Sequence, residues 1–200
     1  METETRKVHK VALRMDVLDA IYGRRAVRSF TSEKVEAGVI HKLIHAAIQA
    51  PSARNAQPWA FCVIQNPDFL KDLSEKIKIF VKNAALGKPQ AEPFVDNFSD
   101  PKFDVFFGAT TLIVICAKKE GFGPIEDCYL AGENLMLAAT KQSLGTCPIG
   151  FARDILKTEE FRKKLSLPAD YVPALAIAIG YAAGREMRPT KKPPVIFKWI

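Results

Sequence analysis

Residues 110–117 read TTLIVICA, and this stretch decides the fold class. Its residues are β-branched or apolar on both alternating faces, a pattern typical of a strand at the centre of a sheet that is covered on both sides. Residues 172–181, VPALAIAIGY, repeat the pattern and predict a second central strand. Residues 59–67, WAFCVIQNP, predict another buried strand that ends at the Asn-Pro pair. With helical segments between them, these strands predict a sandwich of the α+β or α/β class.

Apolar residues at helical spacing predict helices before, between and after these strands. The first helix starts near Met15 and ends at Gly23, and the second covers residues 35–50, with Thr31 or Ser32 as its cap. The middle of the helix predicted at 125–144 is apolar almost all round, so it should lie at the heart of the domain or in a subunit interface. Further helices are predicted at residues 69–80, 153–157 and 159–165.

The composition is that of one globular domain, with 200 residues of which 48% are hydrophobic and 26% charged. No apolar run approaches the roughly 20 residues that cross a bilayer, and the polar residues 1–14 lack the apolar core of a secretory signal. We therefore expect a flexible arm at 1–14 and a single domain at 15–200. Lysine and arginine total 29 against 22 acidic residues, and this net charge of +7 leaves nucleic acid, a membrane surface or a phosphorylated cofactor as candidate partners.

Cysteine and histidine spacing argues against disulfides and metals. The cysteines form no CxxC pair, so we expect buried free thiols in a reducing cytoplasm; they are Cys62, Cys116, Cys128 and Cys147. His41 and His45 lie one helical turn apart, but Lys42 stands where the zinc motif HExxH requires glutamate. We therefore predict no metal site.

Three arginines, Arg24, Arg25 and Arg28, lie within five positions directly after the first predicted helix. Their planar guanidinium groups can converge on a phosphate, which they bind through paired hydrogen bonds. A solvated basic helix end that complements the helix dipole explains the same pattern equally well.

Three other segments have both a functional and an ordinary interpretation. APSARNAQPW, residues 50–59, places amide side chains between two prolines, where they can bind a planar heterocycle or simply form a turn. GTCPIGF, residues 145–151, can bring backbone N–H groups close to a ligand or form a tight turn. The basic tail after residue 184 can bind phosphate or be a solvated charge run.

Taken together and in this order, the four segments resemble the FMN-dependent nitroreductase family over about residues 16–194. RRAVRSF resembles the family's N-terminal phosphate motif, and PSARNAQPW resembles its most specific signature. LGTCPIGF resembles the segment whose backbone lies near the flavin N5 edge, and RPTKKPP resembles the C-terminal phosphate contact. The resemblance implies an α+β fold with a central mixed sheet surrounded by helices. It also implies a set of FMN-binding residues: Arg24, Arg25, Ala26, Arg28, Pro51, Ser52, Ala53, Asn55, Gln57, Pro148, Ile149, Gly150, Arg188, Lys191 and Lys192.

The resemblance further implies a homodimer with two FMN sites at the subunit interface. The N-terminal arginines and a C-terminal basic residue would come from one chain, and Pro51, Ser52 and Asn55 from the other, while the C-terminal tail extends onto the partner. NAD(P)H would pass hydride to flavin N5, leave, and be replaced by a nitroaromatic, quinone or similar acceptor, which is a ping-pong mechanism. No side chain is implied as a catalytic acid or base.

The chain departs from the family pattern in a few places. Ala26 stands where serine is common, the C-terminal phosphate ligand is open among Arg188, Lys191 and Lys192, and residues 83–103 have no clear match. The acceptor and the choice between NADH and NADPH are also open. Two alternatives are a flavin-binding sensor or storage protein without turnover and a basic adaptor that binds nucleic acid.

Overall fold

A computed structural model describes residues 16–85, 97–184 and 190–200. The described residues form one sheet of four strands: β1 (Trp59–Ile64), β2 (Thr111–Lys118), β3 (Gly145–Pro148) and β4 (Tyr171–Gly180). Their spatial order is β1-β2-β4-β3, and every neighbouring pair is antiparallel. The sheet of the described strands is therefore antiparallel rather than mixed as the resemblance implies. An isolated parallel bridge between Ala26 and Thr146 lies at the β3 edge.

Helices precede, connect and cover the strands. They are α1 (Val17–Gly23), α2 (Ala37–Ala47), α3 (Pro67–Ala85), α4 (Pro124–Lys141), α5 (Ala152–Leu156) and α6 (Glu159–Lys164). A short 3₁₀ helix, Ala53–Asn55, lies between α2 and β1. Each helix that the sequence predicts is present, with ends that differ by a few residues.

The sheet is the middle layer between two layers of helices. Leu112 and Val114 of β2 pack in the core beneath α3, α5 and α6, whereas Ile113 and Ile115 pack in the core beneath α2 and α4. All four side chains are fully buried. The prediction that TTLIVICA lies at the centre of a sheet covered on both sides is therefore confirmed.

Helix α4 lies close to the sheet because Gly132 has no side chain. A Cβ atom built on Gly132 would lie 2.3 Å from Leu175 Cδ2 of β4. Next to this contact the β2–β4 register shifts between Ile115 and Cys116, which pairs with Pro173. A bulge suits this position because proline has no N–H to donate to the ladder.

Two strand predictions are corrected. β1 is a half-buried edge strand rather than a buried one, and Val63 is 42% exposed, because β2 is its neighbour on one side and no other described strand flanks it. β3 was not among the predicted strands. Its four residues, GTCP, contain glycine and proline and therefore carry no strand pattern.

Two helix predictions are also corrected. α2 begins after Glu36 and not after Thr31 or Ser32, because Thr31 N donates to Tyr181 O (2.8 Å) and holds this segment extended. α4 ends at Lys141 rather than Leu144. Its outer face exposes Tyr129 and Leu130 in the single chain, which leaves the predicted place in a subunit interface open.

Some predictions fall on residues that the structure does not describe, namely the arm at 1–14, part of the segment 83–103, and residues 185–189 of the tail. Across the described ranges, no helix is both long and apolar enough to span a membrane. The same ranges contain no cluster of three or more His, Cys, Asp or Glu side chains that could hold a metal ion.

Candidate functional site

The arginine segment is fixed to the edge of the sheet. Asp16 caps α1 by accepting from Asp19 N (2.8 Å), and the chain after α1 then runs alongside β3, where Val27 N donates to Thr146 O (2.9 Å). A Cβ atom on Gly145 would lie 2.6 Å from Val27 Cγ2, so glycine is needed for this close approach. The arginines are thus held at the start of β3 and are not a frayed helix end.

The side chains of Arg24 and Arg25 line a cavity of about 270 Å³. Arg24 Nε forms an ion pair with Glu133 Oε1 of α4 (3.1 Å). Arg25 Nη1 donates to Arg24 O (2.6 Å), while its Nε is buried and has no hydrogen-bond partner in the described structure. A buried donor without an acceptor lowers the stability of the folded protein, so an acceptor is expected at this position. Thr140 and Ser143, at the C-terminal end of α4, line the same cavity.

Two further residues of the first motif, Ala26 and Arg28, do not line this cavity. Arg28 is exposed, and the half-buried Ala26 contributes its backbone to the bridge with Thr146. The alanine side chain offers no hydrogen bond, in keeping with the departure from the family pattern. The cavity is therefore basic mainly because of Arg24 and Arg25.

The PSARNAQPW segment folds into a loop whose polar groups bind one another. Ser52 Oγ accepts from Gln57 N (3.0 Å), and Gln57 Nε2 donates to Asn55 Oδ1 (3.1 Å). Arg54, Asn55 and Gln57 all have positive φ angles, of 53°, 55° and 47°. Non-glycine residues adopt this conformation only when their surroundings hold it, and such strained residues concentrate at functional sites. The loop is therefore more constrained than an ordinary helix-to-strand turn.

Asp127 attaches this loop to α4, and the sequence predictions missed it. Ala53 N donates to the Asp127 carboxylate, with distances of 3.2 and 3.4 Å to its two oxygens. Asp127 is 6% exposed and lies in the first turn of α4, where the helix dipole also favours a negative charge. The guanidinium of Arg54 stacks over the Phe122 ring at 4.7 Å, just before the same helix. The sequence signal for it is an acidic residue in the first turn of a mostly apolar helix.

Residues 148–150 continue the β3 edge away from the arginines. Ile149 is buried, and its N–H donates to Ala176 O (2.8 Å), whereas Pro148 and Gly150 are exposed. Apart from its chain neighbours, no atom of the described residues lies within 4 Å of a Cβ built on Gly150, so the space beside this backbone is open. The structure therefore places the arginine segment and residues 148–150 on one edge of the sheet.

The structure does not bring the loop of residues 51–57 to that edge within one chain. The loop leads into β1, which is three strand spacings from β3, or about 14 Å. The loop is hydrogen-bonded to Asp127 near the start of α4, and the arginine cavity is lined by Thr140 near its end. At 1.5 Å per residue, these two positions are about 20 Å apart along the helix. The candidate site residues thus form two separate groups.

The C-terminal candidates are less well placed. Lys191 and Lys192 are exposed, and Arg188 lies outside the described residues. The apolar end of the tail is also exposed, with Phe197 98% and Trp199 87% accessible. Side chains of this size are rarely left in water unless they contact another surface.

The cysteines are free thiols, as predicted. A hydrogen bond with Cys116 lowers the pKa of the half-buried Cys62 thiol to about 7. Burial, together with the nearby Asp127 carboxylate, raises the pKa of the Cys128 thiol to about 12. The two thiols therefore differ widely in reactivity, because the thiolate is the nucleophile.

The sequence and the fold were compared with those of known proteins. The model of the nitroreductase family matches residues 21–181. Protein DrgA of Synechocystis is 32% identical over 187 residues, covering 83% of this chain and 84% of its own length. The NAD(P)H-dependent FMN reductase of Bacillus subtilis is 25% identical, covering 89% of this chain and 70% of its own.

Solved structures have the same fold. The nitroreductase of Bacteroides fragilis with bound FMN superposes with a TM-score of 0.76, at 24% identity, over 92% of this chain and 98% of that one. The nitroreductase of Desulfitobacterium hafniense with bound FMN has a TM-score of 0.73, at 25% identity, over 90% of this chain and 93% of that one.

Proposed function

The chain belongs to the nitroreductase family, and from this premise we propose that it is an FMN-dependent oxidoreductase that uses NAD(P)H to reduce nitroaromatic, quinone or similar acceptors. The relatives named FMN reductase and nitroreductase with bound FMN support the cofactor and the electron donor. The flavin, when bound, supplies the hydride chemistry, and the protein supplies binding, orientation and electrostatics.

The residues of this chain fit a flavin mononucleotide. The buried Nε of Arg25 lacks an acceptor, and a phosphate oxygen can provide one at the cavity that Arg24 also lines. The constrained loop offers Ser52 and Asn55 beside a heterocycle. The open backbone at Gly150 leaves room for a flat ring next to the sheet edge. Basic groups at the site also favour the anionic reduced form of a flavin.

The observation that carries this proposal is the separation of the two groups of site residues. One group lies at the β3 edge and the C-terminal end of α4, and the other lies before β1 and at the N-terminal end of α4. A cofactor that contacts both groups needs two copies of the chain, each contributing one group. In a two-fold symmetric dimer this arrangement produces two equal sites.

Exposed apolar side chains support a dimer. α1 buries only Ala20, while Val17 and Tyr22 are 72% and 71% exposed. Together with the outer face of α4 and the apolar end of the tail, they give the chain more exposed apolar surface than a monomer usually retains. A homodimer that covers α1 and the outer face of α4, with the tail on the partner, accounts for this surface.

We expect ping-pong kinetics, because donor and acceptor would use the same face of the bound flavin in turn. The purified protein should be yellow, NAD(P)H should bleach its visible absorption, and a nitroarene or quinone should restore it. Initial rates should give parallel double-reciprocal lines. A colourless protein that does not bind added FMN would contradict the proposal, and bound flavin that NAD(P)H does not bleach would favour a sensor or storage role.

Replacement of Arg25 tests the phosphate assignment. Arg25→Gln should weaken FMN binding about tenfold or more, because a hydrogen bond to a charged group contributes about 1.5–3 kcal/mol. Lys163→Gln is the matched control, since this lysine is 75% exposed on α6 and pairs with Glu159. Equal FMN affinity in the two variants would remove Arg25 from the site.

Mixing two defective variants tests whether each site is shared between chains. Arg25→Gln and Asn55→Ala homodimers should each bind FMN poorly. After subunit exchange, half of the dimers carry one chain of each kind, and one of their two sites is intact. The mixture should therefore recover about a quarter of the wild-type FMN sites. No recovery, in mixtures shown by mass spectrometry to contain heterodimers, would mean that each site is built from a single chain.

A further inference from the structure

A second cavity, of about 530 Å³, lies between the N-terminal half of α3 and the segment 101–110. It is about twice the volume of the cavity beside Arg25. The cavity lies at the C-terminal end of β1, whereas the loop of residues 51–57 precedes the N-terminal end of that strand. At 3.3 Å per residue, the two ends of β1 are about 17 Å apart. The proposed FMN contacts therefore leave this cavity without a role.

The floor of the cavity is apolar. Leu70 and Ala109 are 7% and 6% exposed, and the half-buried Phe103 and the rings of Pro67 and Pro101 extend this surface to the rim. Small-molecule sites have volumes of about 300–1,000 Å³ and mostly apolar walls. The size and lining of this cavity match a small aromatic or aliphatic ligand.

The rim is cationic. Lys34, Lys71 and Lys102 come from three different segments of the chain and all line the cavity. Their ammonium groups form no ion pair with any residue in the described ranges. Three positive charges at one mostly apolar cavity, none of them in an ion pair within the described ranges, favour an anionic ligand.

The two carboxylates at the cavity are already engaged. Glu75 pairs with Lys78 (2.9 Å), so its charge is compensated. Asp104 accepts from Phe106 N (3.0 Å) and from Gly108 N (2.8 Å), which uses both of its oxygens. Backbone N–H donors do not cancel the charge of Asp104, so the three lysines and this carboxylate leave the cavity with a net positive charge of about two.

A buried hydroxyl adds a polar contact at the floor. Ser74 is 3% exposed, lines the cavity, and accepts from Val105 N (3.0 Å). The bond uses a lone pair of the oxygen and leaves the hydroxyl proton for an acceptor.

We propose that this cavity is a second ligand site, which binds a small organic acid with its apolar body on Leu70, Phe103 and Ala109 and its acid group at the three lysines. The ligand class is a monocarboxylate on an aromatic or compact aliphatic body. Its binding does not depend on the proposed redox activity, since none of the candidate FMN residues within the described ranges lines the cavity.

Calorimetric titration of the FMN-saturated protein with 2-naphthoate tests the proposal. Saturation with FMN fills the cofactor site but leaves the flavin face open to aromatic acceptors. The charge-reversal variants below therefore distinguish binding at the cavity from binding at the flavin. We expect saturable binding of one naphthoate per chain, and at least fivefold weaker binding of the neutral analogue 2-naphthalenemethanol. Naphthoate that fails to bind, or that binds no better than the alcohol, would overturn the proposal.

Charge-reversal variants locate the site. Lys71→Glu and Lys102→Glu should each weaken naphthoate binding about fivefold, as expected when an attraction at a partly exposed site becomes a repulsion. Lys163→Glu on α6 makes the same change of net charge at a residue that does not line the cavity and should leave the affinity unchanged. If all three variants bind alike, the acid binds elsewhere and the assignment is wrong. FMN binding and NAD(P)H oxidation should be unaffected in all three.

Discussion

Replacing Asp127 by alanine should loosen the loop of residues 51–57 and weaken FMN binding without touching the cofactor. The Asp127 carboxylate accepts from Ala53 N at 3.2 and 3.4 Å and is 6% exposed. The same loop holds Arg54, Asn55 and Gln57 at positive φ angles. These conformations persist only while the surroundings hold them, and in the described structure Asp127 is the carboxylate that ties the loop to α4.

The size of the effect follows from that hydrogen bond. A buried bond to a charged acceptor contributes about 1.5–3 kcal/mol, and its loss leaves the Ala53 N–H without its partner. Removal of the buried charge recovers some desolvation energy, so we expect the free energy of unfolding to fall by about 1–2 kcal/mol. If the strained loop relaxes, FMN must reorder it, which should raise the dissociation constant about tenfold or more.

The assay is a titration of apo-protein with FMN, followed by quenching of flavin fluorescence, together with urea unfolding. Asp127→Asn should fall between wild type and Asp127→Ala, because it keeps an acceptor but loses the charge. Glu126→Ala is the matched control, since it removes an exposed carboxylate from the same helical turn and thus the same interaction with the helix dipole. FMN affinity and stability in Asp127→Ala equal to those of Glu126→Ala would refute the reasoning.

Two further predictions test the packing of α4 and the reactivity of a thiol. Gly132→Ala should lower the melting temperature measured by calorimetry, because its Cβ would lie 2.3 Å from Leu175 Cδ2 and overpacking costs about 1–3 kcal/mol. Gly38→Ala should raise the melting temperature, because its Cβ would have no described atom within 4 Å. Alkylation of Cys62 by iodoacetamide, followed by mass spectrometry, should increase through about pH 7, since the hydrogen bond with Cys116 lowers its pKa to that value. Cys116→Ala should move this midpoint upwards, and an unchanged midpoint would show that the thiol pair does not set the pKa.

The central strands could be predicted from the sequence because each is buried on both faces and therefore reads as an unbroken apolar run. The edge strands could not be predicted as reliably. β3 is four residues long, contains glycine and proline, and is defined by its pairing with β4 and by Val27 on its other side. The start of α2 depends on the bond from Thr31 N to Tyr181 O, which joins residues far apart in sequence. Local patterns do not contain such contacts.

The same distinction applies to the candidate site. The arginine segment and the PSARNAQPW loop were identifiable because several residues at fixed spacing form one motif. Asp127 was missed because its role depends on a single bond to a backbone N–H 74 residues earlier. The ion pair between Arg24 and Glu133 likewise joins residues that lie far apart in the sequence. The cavity at Lys71 was also missed, because its three lysines come from separate segments that show no common pattern in the sequence.

Helix α4 links the proposed dimer to the proposed active site. The loop of residues 51–57 binds at its N-terminal end, the arginine cavity lies at its C-terminal end, and its outer face exposes Tyr129 and Leu130 between them. A two-fold axis perpendicular to this helix would pair the outer faces of two copies in antiparallel orientation. The C-terminal end of each α4 would then lie beside the N-terminal end of the other, so the arginines of one copy would meet the loop of its partner. One interface would thus cover the exposed apolar residues and complete both sites.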